Sequence, residues 1–263
     1  MTSGWQPKVV ALDIDGTLLD RDENISPAVI DAVRRAAAEV PVILATGRSW
    51  MSTRTVAETL GLPKGFVVCS NGARTLGYPG GEVLDERTFD PSTVMASVRE
   101  HAPNARMAVE EHHSGYRVTA PFPDGDLGEG VEIRVVSDEE LAPEPVTRLI
   151  IRDPEQSEAD YVLLAERLGL HGVSYFVGWT AWLDIAPEGV DKSTGLKVAL
   201  AQCDLQPQDL LAMGDGRNDI EMLTYAGLGI AMGTAPDEVK AAADEVTKSV
   251  QDDGVAAVLA RWF

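Results

Sequence analysis

The chain has 263 residues, an apolar fraction of 44% and a formal charge of −20. That length suits one large domain or two small ones, and the apolar content supports a packed core. The acidic excess argues against nucleic-acid and anionic-membrane binding, which rest on clustered Lys and Arg, and an anionic ligand would need local positive charge or a metal.

The opening MTSGWQPK has no apolar stretch of the signal-peptide kind, and no apolar run reaches bilayer length. A cytoplasmic protein with no membrane partner is therefore expected. Residues 9–12, Val-Val-Ala-Leu, are apolar without a break, as in a strand buried on both faces of a parallel sheet. Asp13, Ile14, Asp15 and Gly16 follow at once. Side chains two apart on a strand point the same way, so Asp13 and Asp15 are expected to converge at its carboxyl end. Open α/β sheets bind ligands at that end. Two like charges held together need a cation or a proton. Taken alone, the pair also reads as an acid-rich turn.

Ser26 as N-cap and Pro27 at the first helical position open a helix running through Val40. Strand 41–45 follows and ends in Thr46-Gly47-Arg48. A helix over 49–60 stops at Gly61, a residue suited to a left-handed cap. Strand 66–69 ends in Ser70-Asn71-Gly72. This β-α-β-α-β rhythm predicts a doubly wound parallel sheet.

From about 85 to 186 the rhythm breaks into an α+β pattern. Helix 91–101, strands 106–110 and 116–120, a Pro- and Gly-rich polar stretch, strand 147–152, helix 157–168 and strand 174–186 are expected in turn. Their alternation of apolar and polar residues suits an antiparallel sheet with one wet face. The α/β pattern resumes with helix 193–202 and strand 210–213. Gly214-Asp215-Gly216-Arg217-Asn218-Asp219 then leads into helix 219–225, a short strand 229–232 and a terminal helix. The expected architecture is α/β: a Rossmann-like doubly wound core, 1–84 plus 187–263, interrupted by an inserted α+β cap, 85–186. Cys69 and Cys203 fit no metal or redox spacing and are expected to be buried free thiols.

Each polar motif stands just after an apolar strand. In a parallel sheet those ends face one side, so Asp13/Asp15, Thr46-Gly47-Arg48, Asn71 and Asp215/Asn218/Asp219 should share one crevice. Other motifs fail. An EF-hand begun at Asp13 or Asp215 would need Gly where Leu18 or Ile220 stands, and no GxxxxGK[ST] loop is present.

DIDGTLL, ATGR, SNGA, Lys192 and GDGRNDIEML together resemble the haloacid-dehalogenase-like phosphohydrolases, in the order of the Cof-type branch with its large inserted cap. The resemblance implies that Asp13 attacks phosphorus and that Asp15, protonated at the start, serves as acid and then base. It further implies that Lys192 pairs with phosphate and Asp13, whereas a lysine at a helix start would otherwise read as solvated surface. Ile14 and Gly47 N–H groups, the Thr46 hydroxyl, Arg48, Asn71 and Asn218 would hold phosphate. Asp13, the Asp15 carbonyl and Asp215 would hold Mg²⁺, with Asp219 in support. Arg217 stands where family members often carry an acid, and is expected to face the entrance or a surface partner.

The cap is expected to close over the site and choose the substrate. Tyr175, Phe176, Trp179 and Trp182 could stack a sugar ring or simply pack the sheet. His112 and His113 read as a loop tip, and Arg148 and Arg152 as strand-edge charges or contacts to a second anionic group. The function expected is an Mg²⁺-dependent phosphatase of small phosphorylated metabolites, such as sugar phosphates. The alternatives are a phosphomutase built on the same aspartyl-phosphate and a non-enzymatic phospholigand binder. Both a monomer and a homodimer remain compatible with the sequence.

Overall fold

The computed structural model describes residues 4–111, 115–128, 131–156, 158–168, 173–178 and 182–263. Its elements in chain order begin with β1 (Val9–Leu12), α1 (Pro27–Glu39), β2 (Val42–Ala45), α2 (Trp50–Leu60), β3 (Gly65–Cys69), β4 (Arg74–Tyr78) and β5 (Val83–Glu86). Then come α3 (Ser92–His101), β6 (Arg106–Glu111), β7 (Gly115–Val118), β8 (Glu132–Val135), α4 (Asp138–Leu141), β9 (Leu149–Arg152), α5 (Glu158–Leu168), β10 (Val173–Gly178) and β11 (Trp182–Pro187). The chain ends with α6 (Lys192–Gln202), β12 (Leu210–Gly214), α7 (Ile220–Tyr225), β13 (Leu228–Ala231), α8 (Asp237–Ala242), β14 (Glu245–Val246) and α9 (Gly254–Leu259). The chain divides into two compact units, residues 1–85 with 191–263, and residues 86–190.

The larger unit is built on one eight-stranded sheet in the order β14-β13-β12-β1-β2-β3-β4-β5. The first six of these strands run parallel, and β4 turns back antiparallel to β3. Alternation along β1 feeds two cores. Val10 and Leu12 join Val29, Val33, Val56 and Val255 on one face, and Val9 and Ala11 join Leu196, Leu200, Met222 and Val239 on the other. A sheet apolar on both faces needs helices on both, which is the doubly wound arrangement expected.

Local chemistry fixes the helix ends. Ser26 accepts the Val29 N–H at 3.2 Å and Pro27 opens α1, whose buried Val29, Ala32, Val33 and Ala36 form one stripe. Gly61 closes α2 at φ 68°, with its N–H on the Ala57 and Glu58 carbonyls.

The smaller unit carries a sheet in the order β10-β11-β9-β6-β7-β8. One face packs Met107, Val109, Leu149, Ile151, Leu183 and Ile185 against α3 and α5. The expected single strand 174–186 is instead an antiparallel pair, β10 and β11. The Pro- and Gly-rich polar stretch after 120, in which no element was expected by name, contains β8 and the short α4.

Trp182 is half-buried under the Arg148 guanidinium, 5.5 Å from its ring, and Tyr175 is exposed. Arg148 is no strand-edge charge. It is 3% exposed and forks Asp184 at 2.6 and 2.8 Å, while Arg152 pairs with Asp126 at 2.9 Å. His112, His113 and Trp179, and the side chain of Phe176, lie outside the described residues. Cys69 is buried as expected, but Cys203 at the end of α6 is only half-buried.

Candidate active site

Parallel strands β1, β2, β3 and β12 end on one side of the sheet, and the polar motifs begin there. Asp13 follows β1 directly, with its N–H on the Met213 carbonyl at 3.0 Å. Its carboxylate is buried at 4% exposure. Lys192, the first residue of α6, reaches it from the start of that helix. Its Nζ donates to Asp13 Oδ1 and to Asp219 Oδ1, both at 2.6 Å, and the side chain is fully buried.

Asp219 links this pair to the last motif. Its Oδ2 accepts the N–H groups of Asp215 and Gly216 at 2.9 Å each, which folds the 215–219 loop around it. A β-carbon on Gly214 would lie 2.4 Å from the Asp219 carboxyl, so only glycine leaves room for this approach. Asp215 is buried beside them, and the Thr17 hydroxyl donates to its Oδ1 at 3.5 Å. Thr17 is a contact that composition did not single out, although it stands next to Gly16 in the first motif.

The second and third motifs lock together through their own bonds. Thr46 Oγ1 accepts the Arg48 N–H at 3.1 Å, and the Thr46 carbonyl accepts the Asn71 N–H at 3.0 Å. Asn71 stands at φ 53°, packs against Gly47, and its Oδ1 accepts Asn218 Nδ2 at 2.9 Å. A β-carbon on Gly72 would sit 1.8 Å from the Asp191 carbonyl, so glycine lets this turn touch the N-cap of α6. Ile14 is fully buried, and its carbonyl accepts the Leu18 and Leu19 N–H groups in the turn after β1.

Asp15 departs from expectation. β1 ends at Leu12, so the rule for residues two apart on a strand does not carry through to residue 15. Its side chain is 50% exposed and is not one of the three carboxylates grouped within 4.8 Å, although its charge acts on Asp13 and Asp215. It is forked by Arg48, through Nε at 2.9 Å and Nη2 at 2.6 Å. Arg48, expected at the phosphate, is thus engaged by Asp15 and also by Glu23, at 2.9 Å. Arg217 pairs on the surface with Glu238.

The electrostatics follow from burial. Desolvation raises Asp13 to about 7, with Asp219 adding and Lys192 opposing. Desolvation, then Asp13 and Asp219, raise Asp215 to about 9. Burial alone would favour a neutral Lys192, but Asp13 and Asp219 outweigh it and hold the ammonium above its ordinary value. Three buried acids therefore face one buried lysine. Carboxylate oxygens of Asp13, Asp215 and Asp219 lie within 4.8 Å of one another. An all-oxygen donor set short of positive charge fits a hard divalent cation.

The larger unit is thus a doubly wound α/β sheet with an acid–lysine cluster at its strand ends. Residues 10–259 match the haloacid dehalogenase-like hydrolase family, and the chain belongs to it. It is 32% identical over 252 residues to a phosphoglycolate phosphatase of Natronomonas pharaonis, covering 96% of each chain. A phosphoglycolate phosphatase of Archaeoglobus fulgidus is 28% identical, with 97% of this chain and 96% of that one covered. A solved haloacid dehalogenase-like hydrolase from Bacteroides thetaiotaomicron superimposes with a TM-score of 0.83 at 25% identity, covering 98% of this chain and all of that one. The chain is a phosphoric monoester hydrolase. No helix among the described residues is long and apolar enough to cross a membrane.

Proposed function

We propose that the chain hydrolyses small phosphate monoesters through an aspartyl-phosphate on Asp13, with Mg²⁺ as its cofactor. One observation carries this reading: a buried carboxylate at the end of a central strand, fixed at 2.6 Å by a lysine that also grips Asp219.

An Asp13 oxygen bonds to phosphorus as the ester P–O bond breaks. The bonding pair leaves with the ester oxygen, which takes a proton from Asp15. Water then attacks the phosphoryl group and gives a proton to Asp15. The P–O bond to Asp13 breaks, restoring the carboxylate and releasing phosphate. Lys192 orients Asp13 and meets a phosphate oxygen. The Thr46 hydroxyl, the Gly47 and Ile14 N–H groups, Asn71 and Asn218 surround the remaining oxygens. Arg48 meets the phosphate side of the site only by way of Asp15.

Asp13, the Asp15 carbonyl and Asp215 would hold Mg²⁺. Both Asp219 oxygens are already used by Lys192 and the loop N–H groups, so Asp219 supports the metal by shaping the loop that carries Asp215. Bound Mg²⁺ supplies charge neutralisation, since two unit charges at about 4 Å repel by roughly 4 kcal/mol at an effective dielectric of 20.

Sugar phosphates and phosphoglycolate are the first esters to test, the latter because two relatives are phosphoglycolate phosphatases. Phosphate release from a panel of such esters is expected with Mg²⁺ and lost in EDTA. Release undiminished by EDTA would remove the metal from this reading, and no release from any ester would remove the reading itself.

A further inference from the structure

The turn before α1 presents a group that the acid–lysine cluster does not use. Asp20 Oδ1 accepts the N–H groups of Asp22 and Asn24, both at 2.9 Å. The Asp20 and Asn24 backbones bond at 3.1 Å, as do Glu23 N–H and the Asp20 carbonyl. Inside this closed turn Glu23 stands at φ 58°, a left-handed conformation that is uncommon for glutamate and that a turn must enforce.

The turn aims Glu23 at Arg48. Arg48 Nη2 carries two hydrogens: one goes to Glu23 Oε1 at 2.9 Å and the other to Asp15 Oδ1 at 2.6 Å. Nε–H completes the fork on Asp15 at 2.9 Å. The three donors of that edge are therefore filled, and the guanidinium cannot rotate without breaking a bond to one of the two acids. The Arg48 N–H on Thr46 Oγ1 anchors the other end of the residue.

We propose that Glu23 is a positioning residue for Asp15. It fixes the outer edge of Arg48, and Arg48 in turn holds the Asp15 carboxyl in one orientation, ready to meet the ester oxygen. The proposal rests on the acid/base role given to Asp15 above. Glu23 touches no reacting atom. Its effect should therefore fall on the step that needs Asp15 to place a proton, and not on phosphate binding.

Two esters separate those effects. A sugar 6-phosphate has an alkoxide leaving group that needs the proton, while p-nitrophenyl phosphate has a phenolate that leaves without it. Glu23→Ala is expected to lower kcat on the sugar ester about tenfold, a fraction of what a general acid contributes, with KM changed less than about twofold. On p-nitrophenyl phosphate the steady-state rate falls too, because Asp15 also activates the water that clears Asp13, but the p-nitrophenolate burst, which reports the first step alone, should slow by less than about twofold. Glu23→Gln, which keeps an oxygen for Nη2, should restore most of the loss. Arg48→Lys, which keeps the charge but cannot serve both acids, should reproduce the split between the esters.

Melting temperatures measured alongside distinguish this from a surface pair that only stabilises the turn, for which sugar-ester kcat and the p-nitrophenolate burst rate would fall together or neither would. An equal loss in sugar-ester kcat and in the p-nitrophenolate burst rate, no loss, or a gain in kcat for Glu23→Ala overturns the proposal. Wild-type protein that hydrolyses neither ester in Mg²⁺ removes the site reading and this proposal with it. An active wild type whose ratio of sugar-ester kcat to p-nitrophenolate burst rate is unchanged in Glu23→Ala removes the proposal alone.

Discussion

Lys192 shows how a residue type that is normally solvated becomes the centre of a site. Its ammonium is fully buried, and it stays charged because Asp13 and Asp219 each stand 2.6 Å away. Removing it would leave three buried acids facing one another without the one lysine that offsets them. Breaking a buried ion pair from one side typically costs about 3–5 kcal/mol. Lys192→Met is therefore expected to be inactive and to lose on the order of 3 kcal/mol of stability in EDTA, read from urea unfolding, with Mg²⁺ restoring part of it. An unfolding midpoint equal to that of the wild type would contradict this. Asp15 teaches the opposite lesson at the same scale. Its spacing from Asp13 reads as one face of a strand, yet the strand ends one residue before Asp13, and the turn closed on the Ile14 carbonyl delivers Asp15 to Arg48 instead.

At the scale of elements, legibility followed the environment of each strand. β1, β2, β3 and β12 are buried on both faces, so they are unbroken apolar runs, and the motif after each could be placed at a strand end from sequence. β4, Arg-Thr-Leu-Gly-Tyr, turns back beside β3 and carries a buried arginine and a glycine, and β5 is short and largely exposed. Neither carries an apolar signal, and both went unread. β8 has four exposed residues and α4 is one turn held by the Ser137–Glu140 capping box, so the Pro- and Gly-rich composition around them masked both. β10 and β11 are each rich in strand-forming residues and read as one long strand, because the change of direction falls between them. The contact of Glu23 with Arg48 joins a turn to a loop 25 residues away, and only the folded chain shows it.

The whole molecule carries a charge of −20 and concentrates part of it where water is excluded. In the folded state Asp13 is raised to about 7 and Asp215 to about 9, both by burial first, from an ordinary value of 3.8. Between those values the folded chain binds more protons than the unfolded one. These two groups therefore favour folding below about pH 4, and the contribution is lost as the pH climbs through about 7 and then about 9. A divalent cation bound there would take the place of the missing protons. The rise in melting temperature on replacing EDTA with Mg²⁺ is therefore expected to grow from about pH 5 to about pH 9. A gain independent of pH would show that the cation binds away from Asp13 and Asp215. Exposed acids elsewhere shift the baseline of both curves alike, so the difference between them isolates the cluster.

The central claim is that the phosphoryl group passes through Asp13. Asp15→Asn keeps the nucleophile but cannot activate the water that clears it, so a covalent adduct should accumulate when this variant meets a phosphate ester and Mg²⁺. The decisive measurement is peptide-mapped mass spectrometry of that mixture after an acid quench. The account predicts a phosphoryl group on the peptide bearing Asp13, absent from the doubly substituted Asp13→Asn, Asp15→Asn protein. Ester turnover with no adduct, or an adduct on another residue, would contradict it.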